Sequence, residues 1–527
     1  MSNIIENVVM EYPAKLATIY KGVERTYRQF YERSRKIAYG LQQLNFYKGD
    51  RIAILLNNRP EYFELYFGIF SFGGIAVPLN TRLSTEELKY IIIHSGANTV
   101  VYEDSFKEKI FSLQSELKGV KNYISIGEKN DLSLNLEEII HSAQNYVVKS
   151  EVEENDVAFL CYTSGTTGKP KGAMITHKNM TSMCGYQLIE LPRYRSYVGM
   201  CLFPFFHIGV MMGLNKIALG MTCVFSDFSI ANVAEVAELI EKHKINDLDI
   251  TATQLKIFSN DPLTKNYDLT SLKTVSTGGG FTLDSTMRKF FSMFPMGHEV
   301  VLANIYGMTE NTAHVMSKII SKSTLEKEIE KLDLLPGIKA SGMSAGKPIY
   351  GMLVKIVDNY GNQVPDNQVG EILVKGDTVL KGYWQEPEKT NEAVIDGWYY
   401  TGDLGIRLKS GDYFVVDRKK DMVLTGDENV YAAEVENVLS THPFVKEVAI
   451  IGVPHELYGE TVTAIVVPND NSNIKEEELI DFCRDKIGGY KIPKFIYFID
   501  QLPRNAAGKI LKHKLKDNMN KIATSYN

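Results

Sequence analysis

The sequence predicts an α/β protein built from a large, layered N-terminal domain with a β subdomain and a small α+β domain at the C-terminus. Three observations carry that reading. Strand-like and helix-like segments alternate from Thr26 to about Glu310, short β-like segments follow Ser344, and a fresh helix–strand rhythm begins at Met422. A chain of 527 residues also exceeds what one hydrophobic core sustains.

The elements follow in order. "RIAILL" (Arg51–Leu56) reads as a buried strand, "PEYFELYFGIF" as a helix packed on the sheet, and "GIAVPL" as the next strand. In "STEELKYIIIHSG" Ser84 and Glu87 make a capping box and Gly96 stands where a helix ends, before the strand "NTVVYE". "DVAFLCYT" and "GAMITH" are two strands around the loop "SGTTGKPK", and "ANVAEVAELIEKHK" precedes "DLDITAT" in the same rhythm. The Lys- and Glu-rich run from Ser317 to Ser344 reads as a solvated helix and loop at a subdomain boundary. "LVKIVD", "GEILVKG" and "YFVVD" form the β subdomain. Beyond Met422 come a helix "AAEVENVLSTH", strands "EVAIIGV" and "TVTAIVV", a helix "KEEELIDFCRDKIGG", a strand "KFIYFI" and a basic tail.

Composition bounds the function. With 44% hydrophobic residues, 23% charged residues and a net charge of −6, the chain offers no global basic face for nucleic acid. The N-terminus lacks the basic and apolar regions of a signal peptide, and the longest apolar stretch, Leu65–Asn80, is too short to span a bilayer. Five scattered cysteines without CxxC spacing give neither a disulfide framework nor a zinc site. A cytoplasmic location is expected.

The densest motif is "YTSGTTGKPKG", Tyr162–Gly172. A loop rich in glycine and hydroxyl groups between two strands presents free N–H groups to an anion, and a nucleotide phosphate chain is the obvious one. It is not a Walker A loop, because Gly165 and Gly168 are too close and Pro170 follows Lys169. Further polar clusters lie in "FPFFHIG" with His207, "STGGGFT", "NIYGMTE", "GWYYTGD", "VDRKKDM" and "LPRNAAGKILK".

Together and in this order, these motifs make the chain resemble the adenylate-forming superfamily of acyl-CoA synthetases, luciferases and non-ribosomal peptide adenylation domains. The resemblance runs from "RTYRQFYERSRKIAYGL" to "GKILK". It implies ATP-dependent activation of a carboxylic acid to an acyl-AMP with release of pyrophosphate, then transfer to CoA as co-substrate. It also implies an AMP-binding domain over residues 1–416, a hinge over 417–421 with Lys420 at its centre, and a mobile C-terminal domain over 422–527.

Residue by residue, the resemblance assigns Thr163, Ser164, Gly165, Thr166, Thr167 and Lys171 to the β and γ phosphates. Glu310 is assigned to Mg²⁺, Thr309 to the α-phosphate, and Tyr306, Gly279 and Gly280 to adenine. Asp403 takes the ribose hydroxyls with Arg418 beside it, and Lys509 bridges the substrate carboxylate and the α-phosphate. Three departures stand out: "GGGF" at Gly278–Phe281, "GDEN" at Gly426–Asn429, and "YAAE" after it.

Where amino-acid-activating relatives hold the substrate ammonium with an aspartate, this chain has His207, which argues against amino-acid substrates. The surrounding "HIGVMMGLN" and "TATQLKIF" are apolar and Met-rich, so a medium- or long-chain fatty acid is expected, with aryl acids or succinylbenzoate-like acids as competitors. Two alternatives stay open: an adenylation enzyme that loads a carrier protein, and a silent nucleotide-binding protein on the same fold. Retention of Lys171, Glu310, Asp403, Arg418 and Lys509 together argues against the second. Oligomeric state is not legible from the sequence, and a homodimer is one of the open arrangements.

Overall fold

The structure, a computed structural model, describes residues 2–130, 132–143, 148, 151–163, 169–226, 232–335, 342–425, 428–455, 458–470, 472, 474–484, 486–504 and 510–525. The chain divides into two compact units. The first comprises residues 1–325, 346–354 and 374–399; the second comprises 326–345, 355–373 and 400–527.

The first unit contains two large sheets. One has eight strands in the order Gly382–Tyr383, Lys171–Thr176, Val157–Thr163, Ile75–Pro78, Arg51–Leu55, Thr99–Glu103, Asn122–Ile126 and Leu134–Asn135. Its pairings are parallel from Val157–Thr163 through Ile75–Pro78, Arg51–Leu55 and Thr99–Glu103 to Asn122–Ile126, as helix crossovers require, while Val157–Thr163 and Lys171–Thr176 form an antiparallel hairpin. The expected helices are present: Pro60–Ser71 is buried along its whole length, and Thr85–Ser95 starts at the Ser84–Glu87 capping box and stops at Gly96, φ +65°.

The other sheet has nine strands, in the order Lys347–Pro348, Met316–Ser321, Val301–Tyr306, Thr274–Gly278, Asp247–Thr251, Val198–Cys201, Thr222–Val224, Leu16–Tyr20 and Val23–Thr26. Met316–Ser321 corrects the sequence reading, because the start of the Lys-rich run is a strand paired antiparallel with Val301–Tyr306. Its Met316 and Ile320 are fully buried, and cross-strand packing outweighs the polar residues between them.

Behind this sheet four charged side chains meet in the core. Arg193 Nε lies 2.9 Å from Asp247 Oδ2 and its Nη2 pairs with Asp249, while Lys216 on the helix Val210–Leu219 pairs with Asp247 and lies 3.0 Å from Asp249 Oδ2. All four side chains are at most 1% exposed. Two positive and two negative charges satisfy one another there, as buried charges must.

In the second unit, Tyr413–Arg418 pairs antiparallel with Asp403–Arg407, over a core that includes Leu404, Ile406 and Phe414. Further along, Val445–His455, Gly459–Pro468, Val423–Thr425, Glu428–Val430 and Phe495–Phe498 form the C-terminal sheet. Helices Ala432–Ser440 and Glu476–Arg484 contribute to the core on one of its faces. The basic tail is a second correction: Lys512–Ser525 is a helix whose Leu515 is buried against Ile451 and Ile465. One apolar residue per turn suffices to dock a lysine-rich helix, and its first lysine, Lys512, is held by Glu436 at 2.7 Å. No described helix is long and apolar enough to cross a membrane.

Candidate active site

In the first unit the two ends of "YTSGTTGKPKG" lie on paired strands of a hairpin, with Tyr162 opposite Gly172 and Thr163 opposite Lys171. Thr163 is the last residue of the incoming strand. Ser164, Gly165, Thr166 and Thr167 lie outside the described residues. From 147 positions away in sequence, Glu310 meets the hairpin: Thr163 Oγ1 donates to Glu310 Oε1 at 3.3 Å. The hydroxyl of Tyr383 donates to the same oxygen at 3.3 Å, and the Tyr383 and Tyr399 hydroxyls are 3.3 Å apart. Lys171 Nζ stands 5.1 Å from the centre of the Tyr383 ring. Burial and the nearby Glu310 carboxylate push the Tyr383 hydroxyl well above its ordinary range, so it stays a donor.

Glu310 is held by a constrained loop. Val301–Tyr306 ends at the predicted Tyr306, and a single 3₁₀ turn, Thr309–Asn311, presents Thr309 and Glu310. Asn311 Oδ1 accepts the Met308 N–H at 2.9 Å, Leu380 N–H donates to the Glu310 carbonyl at 2.8 Å, and Thr312 Oγ1 donates to the Thr378 carbonyl at 2.7 Å. Thr312 and Ala313 adopt left-handed φ of +56° and +84°, a strain that these bonds offset. A Cβ on Gly307 would come within 2.0 Å of the Ala313 carbonyl oxygen, so glycine is required where the loop folds back.

Next to it, Thr274–Gly278 runs into the glycine turn. A Cβ on Gly278 would sit 2.8 Å from the Ile305 carbonyl oxygen, and Gly279 has φ +76°. Gly279 and Gly280 are exposed, leaving bare backbone for a flat ligand to approach. His207 lies before the apolar helix Val210–Leu219, whose Met211 and Met212 are buried. Burial brings its imidazole down to about 4, with Arg82 adding to the effect, and its Nε2 has no hydrogen-bond partner among the described residues. The ring is therefore neutral at physiological pH.

In the second unit Asp403 and Arg418 face each other across paired strands, with Arg418 Nε 2.9 Å from Asp403 Oδ1. Asp403 is buried, and its N–H donates to Thr401 Oγ1 at 3.0 Å. Lys420 is exposed, in a turn closed by the Asp421 and Met422 N–H groups on the Arg418 carbonyl. Just before it, Asp417 accepts N–H groups from Arg418 at 2.7 Å and Ala433 at 3.1 Å. Burial raises its carboxyl to about 6 against the opposing pull of Lys512. Lys509, Gly426 and Asp427 lie outside the described residues.

The sequence reading missed Tyr383 and Tyr399. Tyr383 stands in "LKGYWQEPEKT", yet nothing local marks it as a hydrogen-bond donor to Glu310, 73 positions earlier in sequence. Among the described residues no cluster of three or more His, Cys, Asp or Glu side chains could hold a metal. One carboxylate, Glu310, with the Thr163 hydroxyl beside it does fit Mg²⁺, which keeps waters and takes phosphate oxygens rather than an all-protein cage.

Comparison with known proteins agrees with this geometry. The AMP-binding enzyme family matches residues 5–384, and the AMP-binding enzyme C-terminal domain matches residues 434–509. A feruloyl-CoA synthase from Amycolatopsis sp is 32% identical over 506 residues, 96% of either chain. A long-chain-fatty-acid–CoA ligase from Escherichia coli O6:H1 is 32% identical over 558 aligned positions, 98% of this chain and 94% of the ligase. Among solved structures, the o-succinylbenzoate coenzyme A synthetase of Bacillus subtilis in complex with ATP and magnesium ion superposes with a TM-score of 0.84 at 29% identity, covering 98% of this chain and 99% of that one. The hairpin, the carboxylate that meets it and the full-length matches agree, and the chain belongs to the AMP-binding enzyme family, as an adenylate-forming acid–CoA ligase that uses ATP and CoA and releases AMP.

Proposed function

We propose that this ligase activates a monocarboxylic acid with an apolar tail, in first place a medium- or long-chain fatty acid, and transfers it to CoA. The observation that carries the assignment of the chemistry is the convergence of Thr163 and Glu310 at 3.3 Å, which joins the phosphate hairpin to an acidic side chain at one point. Thr163, Ser164, Gly165, Thr166, Thr167 and Lys171 take the β and γ phosphates, and Thr309 the α-phosphate. Glu310 with Thr163 would hold Mg²⁺, which supplies charge neutralisation on the phosphates. Tyr306, Gly279 and Gly280 take adenine, and Asp403 takes the ribose hydroxyls with Arg418 beside it.

The acid's carboxylate attacks the α-phosphorus in line, pyrophosphate leaves, and Lys509 neutralises the charge that two anions bring together. In the second step the CoA thiolate attacks the acyl carbonyl and AMP leaves. Rotation of the segment beyond the hinge at Lys420 separates the two steps.

The neutral His207 beside buried Met211 and Met212 supports an uncharged tail, because an imidazole stands where a carboxylate would be needed to hold a substrate ammonium. The feruloyl-CoA synthase likeness favours an aryl acid as the second reading. An acid-dependent ATP–pyrophosphate exchange panel across fatty acids of increasing length, hydroxycinnamates and amino acids, repeated for thioester formation with CoA, tests both. Exchange highest with aryl acids overturns the fatty-acid assignment, and exchange without any transfer to free CoA points to a carrier protein as acceptor.

A further inference from the structure

We propose that the helix Thr85–Ser95 positions the phosphate hairpin, with Tyr90 and His94, one turn apart on one face, clamping its two ends. The proposal rests on the assignment of that hairpin to the β and γ phosphates.

His94 Nδ1 lies 2.8 Å from the Tyr162 hydroxyl, on the strand that enters the motif. The Tyr90 hydroxyl donates to the Pro170 carbonyl at 3.4 Å, and Lys169 Nζ stands 5.6 Å from the Tyr90 ring centre, on the segment that leaves it. Positions four apart on a helix share a face, so a single helical turn reads both ends of the loop. The two rings are also stacked on each other, 5.3 Å between centres at 29°, and His94 meets Tyr162 edge-on at 5.8 Å.

The key bond is partly sheltered from water. Burial lowers the His94 imidazole, with Lys389 and Lys169 adding to the shift and Glu386 opposing it, and burial raises the Tyr162 hydroxyl. The imidazole tautomer sets the direction of the bond: Nδ1 accepts from the phenol when the ring proton is on Nε2, and donates to the phenol oxygen when it is on Nδ1. The clamp is itself fixed: Trp384 Nε1 donates to the His94 carbonyl at 3.2 Å, and the Trp384 N–H to the Gly172 carbonyl at 2.8 Å. Arg51 donates to the carbonyls of Ser95 at 3.0 Å and Gly96 at 2.7 Å, holding the helix end. A Cβ on Gly172 would lie 3.1 Å from the Tyr162 ring, so glycine there lets that ring lie across the hairpin.

Tyr90 and His94 are thus positioning residues for pyrophosphate-bearing ligands, acting through Tyr162 and Lys169. Their outer faces border an open cleft with Glu86, Lys89 and Ile93, which accommodates substitutions. The test is calorimetric titration of the full-length protein with MgATP and, separately, with AMP, which lacks the β and γ phosphates. His94→Phe and Tyr162→Phe each raise the MgATP Kd about tenfold, the scale of one hydrogen bond, and leave the AMP Kd within twofold. The double variant is no worse than either single one, His94→Asn restores most of the affinity, and melting temperatures stay near wild type.

Equal weakening of MgATP and AMP means a general structural role and overturns the clamp, as does an unchanged MgATP Kd in both single variants. Lys171→Ala separates the two ideas. If it weakens MgATP selectively while His94→Phe does not, the hairpin assignment stands and the clamp falls; if neither variant discriminates MgATP from AMP, both fall.

Discussion

Acidification should destabilise the N-terminal unit, and two buried histidines, His177 and His314, each contribute a share that adds to that of His207. His177 and His314 are 4% and 0% exposed, and ring nitrogens of both have no hydrogen-bond partner among the described residues. Burial brings them down to about 4 and about 3 from an ordinary 6.5. The unfolded chain takes up protons below pH 6.5 that the folded chain refuses, so stability is retained above that pH and lost as pH falls toward 4. Between pH 7.5 and 5.0 the loss is about 2 kcal/mol per histidine, from about 1.36 kcal/mol per pH unit, or about 4 kcal/mol for the pair.

Both tryptophans, Trp384 and Trp398, belong to the same unit, so urea titration followed by their fluorescence at the two pH values reads the effect directly. The variant His177→Leu/His314→Leu removes these two rings, leaves His207 in place, and should lose about 4 kcal/mol less on acidification than wild type. A variant with the wild-type pH slope would refute the reasoning, whatever its absolute stability.

The remaining predictions concern chemistry. Lys509→Ala lowers acyl-adenylate formation, measured as ATP–pyrophosphate exchange, by about two orders of magnitude with melting unchanged, since the bridging charge acts where two anions meet; near-normal exchange removes the assignment. Asp403→Ala weakens ATP binding by about 1.5–3 kcal/mol, the range for hydrogen bonds to a charged group. An unchanged ATP affinity, or a large fall in melting temperature without ligand, would return Asp403 to a purely structural role beside Arg418. Lys420→Pro fixes φ near about −65° and restricts Lys419, so single-turnover assays should find acyl-AMP formation kept and transfer to CoA lost; equal loss in both steps places the hinge elsewhere.

The parts of this molecule governed by local rules were legible in its sequence. Ser84, Glu87 and Gly96 bound a helix because capping is a matter of neighbouring residues, and the strands around "SGTTGKPK" stand where alternation of apolar runs and glycine marks them. Tertiary pairing was not legible. The polar "SKIIS" became a strand because Val301–Tyr306 offered a partner, and a lysine-rich tail became a helix because Leu515 found a core. Nothing local in "DLDIT" shows that both aspartates are buried, because the counter-charges of Asp247 come from 54 and 31 residues upstream, at Arg193 and Lys216. At the site, the order of motifs pointed to Thr163 and Glu310. The Tyr383–Glu310 and His94–Tyr162 contacts exist only once elements far apart in sequence are brought together.

Those four buried charges also decide where the helix Val210–Leu219 can rest. Apolar surfaces are tolerant of sliding: a helix displaced by one turn, about 5.4 Å, still covers most of the same oil-like surface. Lys216 permits no such slippage, because the same shift would draw its ammonium away from both carboxylates and strand them uncompensated, a penalty of about 3–5 kcal/mol for breaking a buried pair. The knot thus works as an indexing pin. It sets the axial position of the helix that begins three residues after His207, and so the depth at which Met211 and Met212 sit, with a sharpness that methionine packing alone would not give.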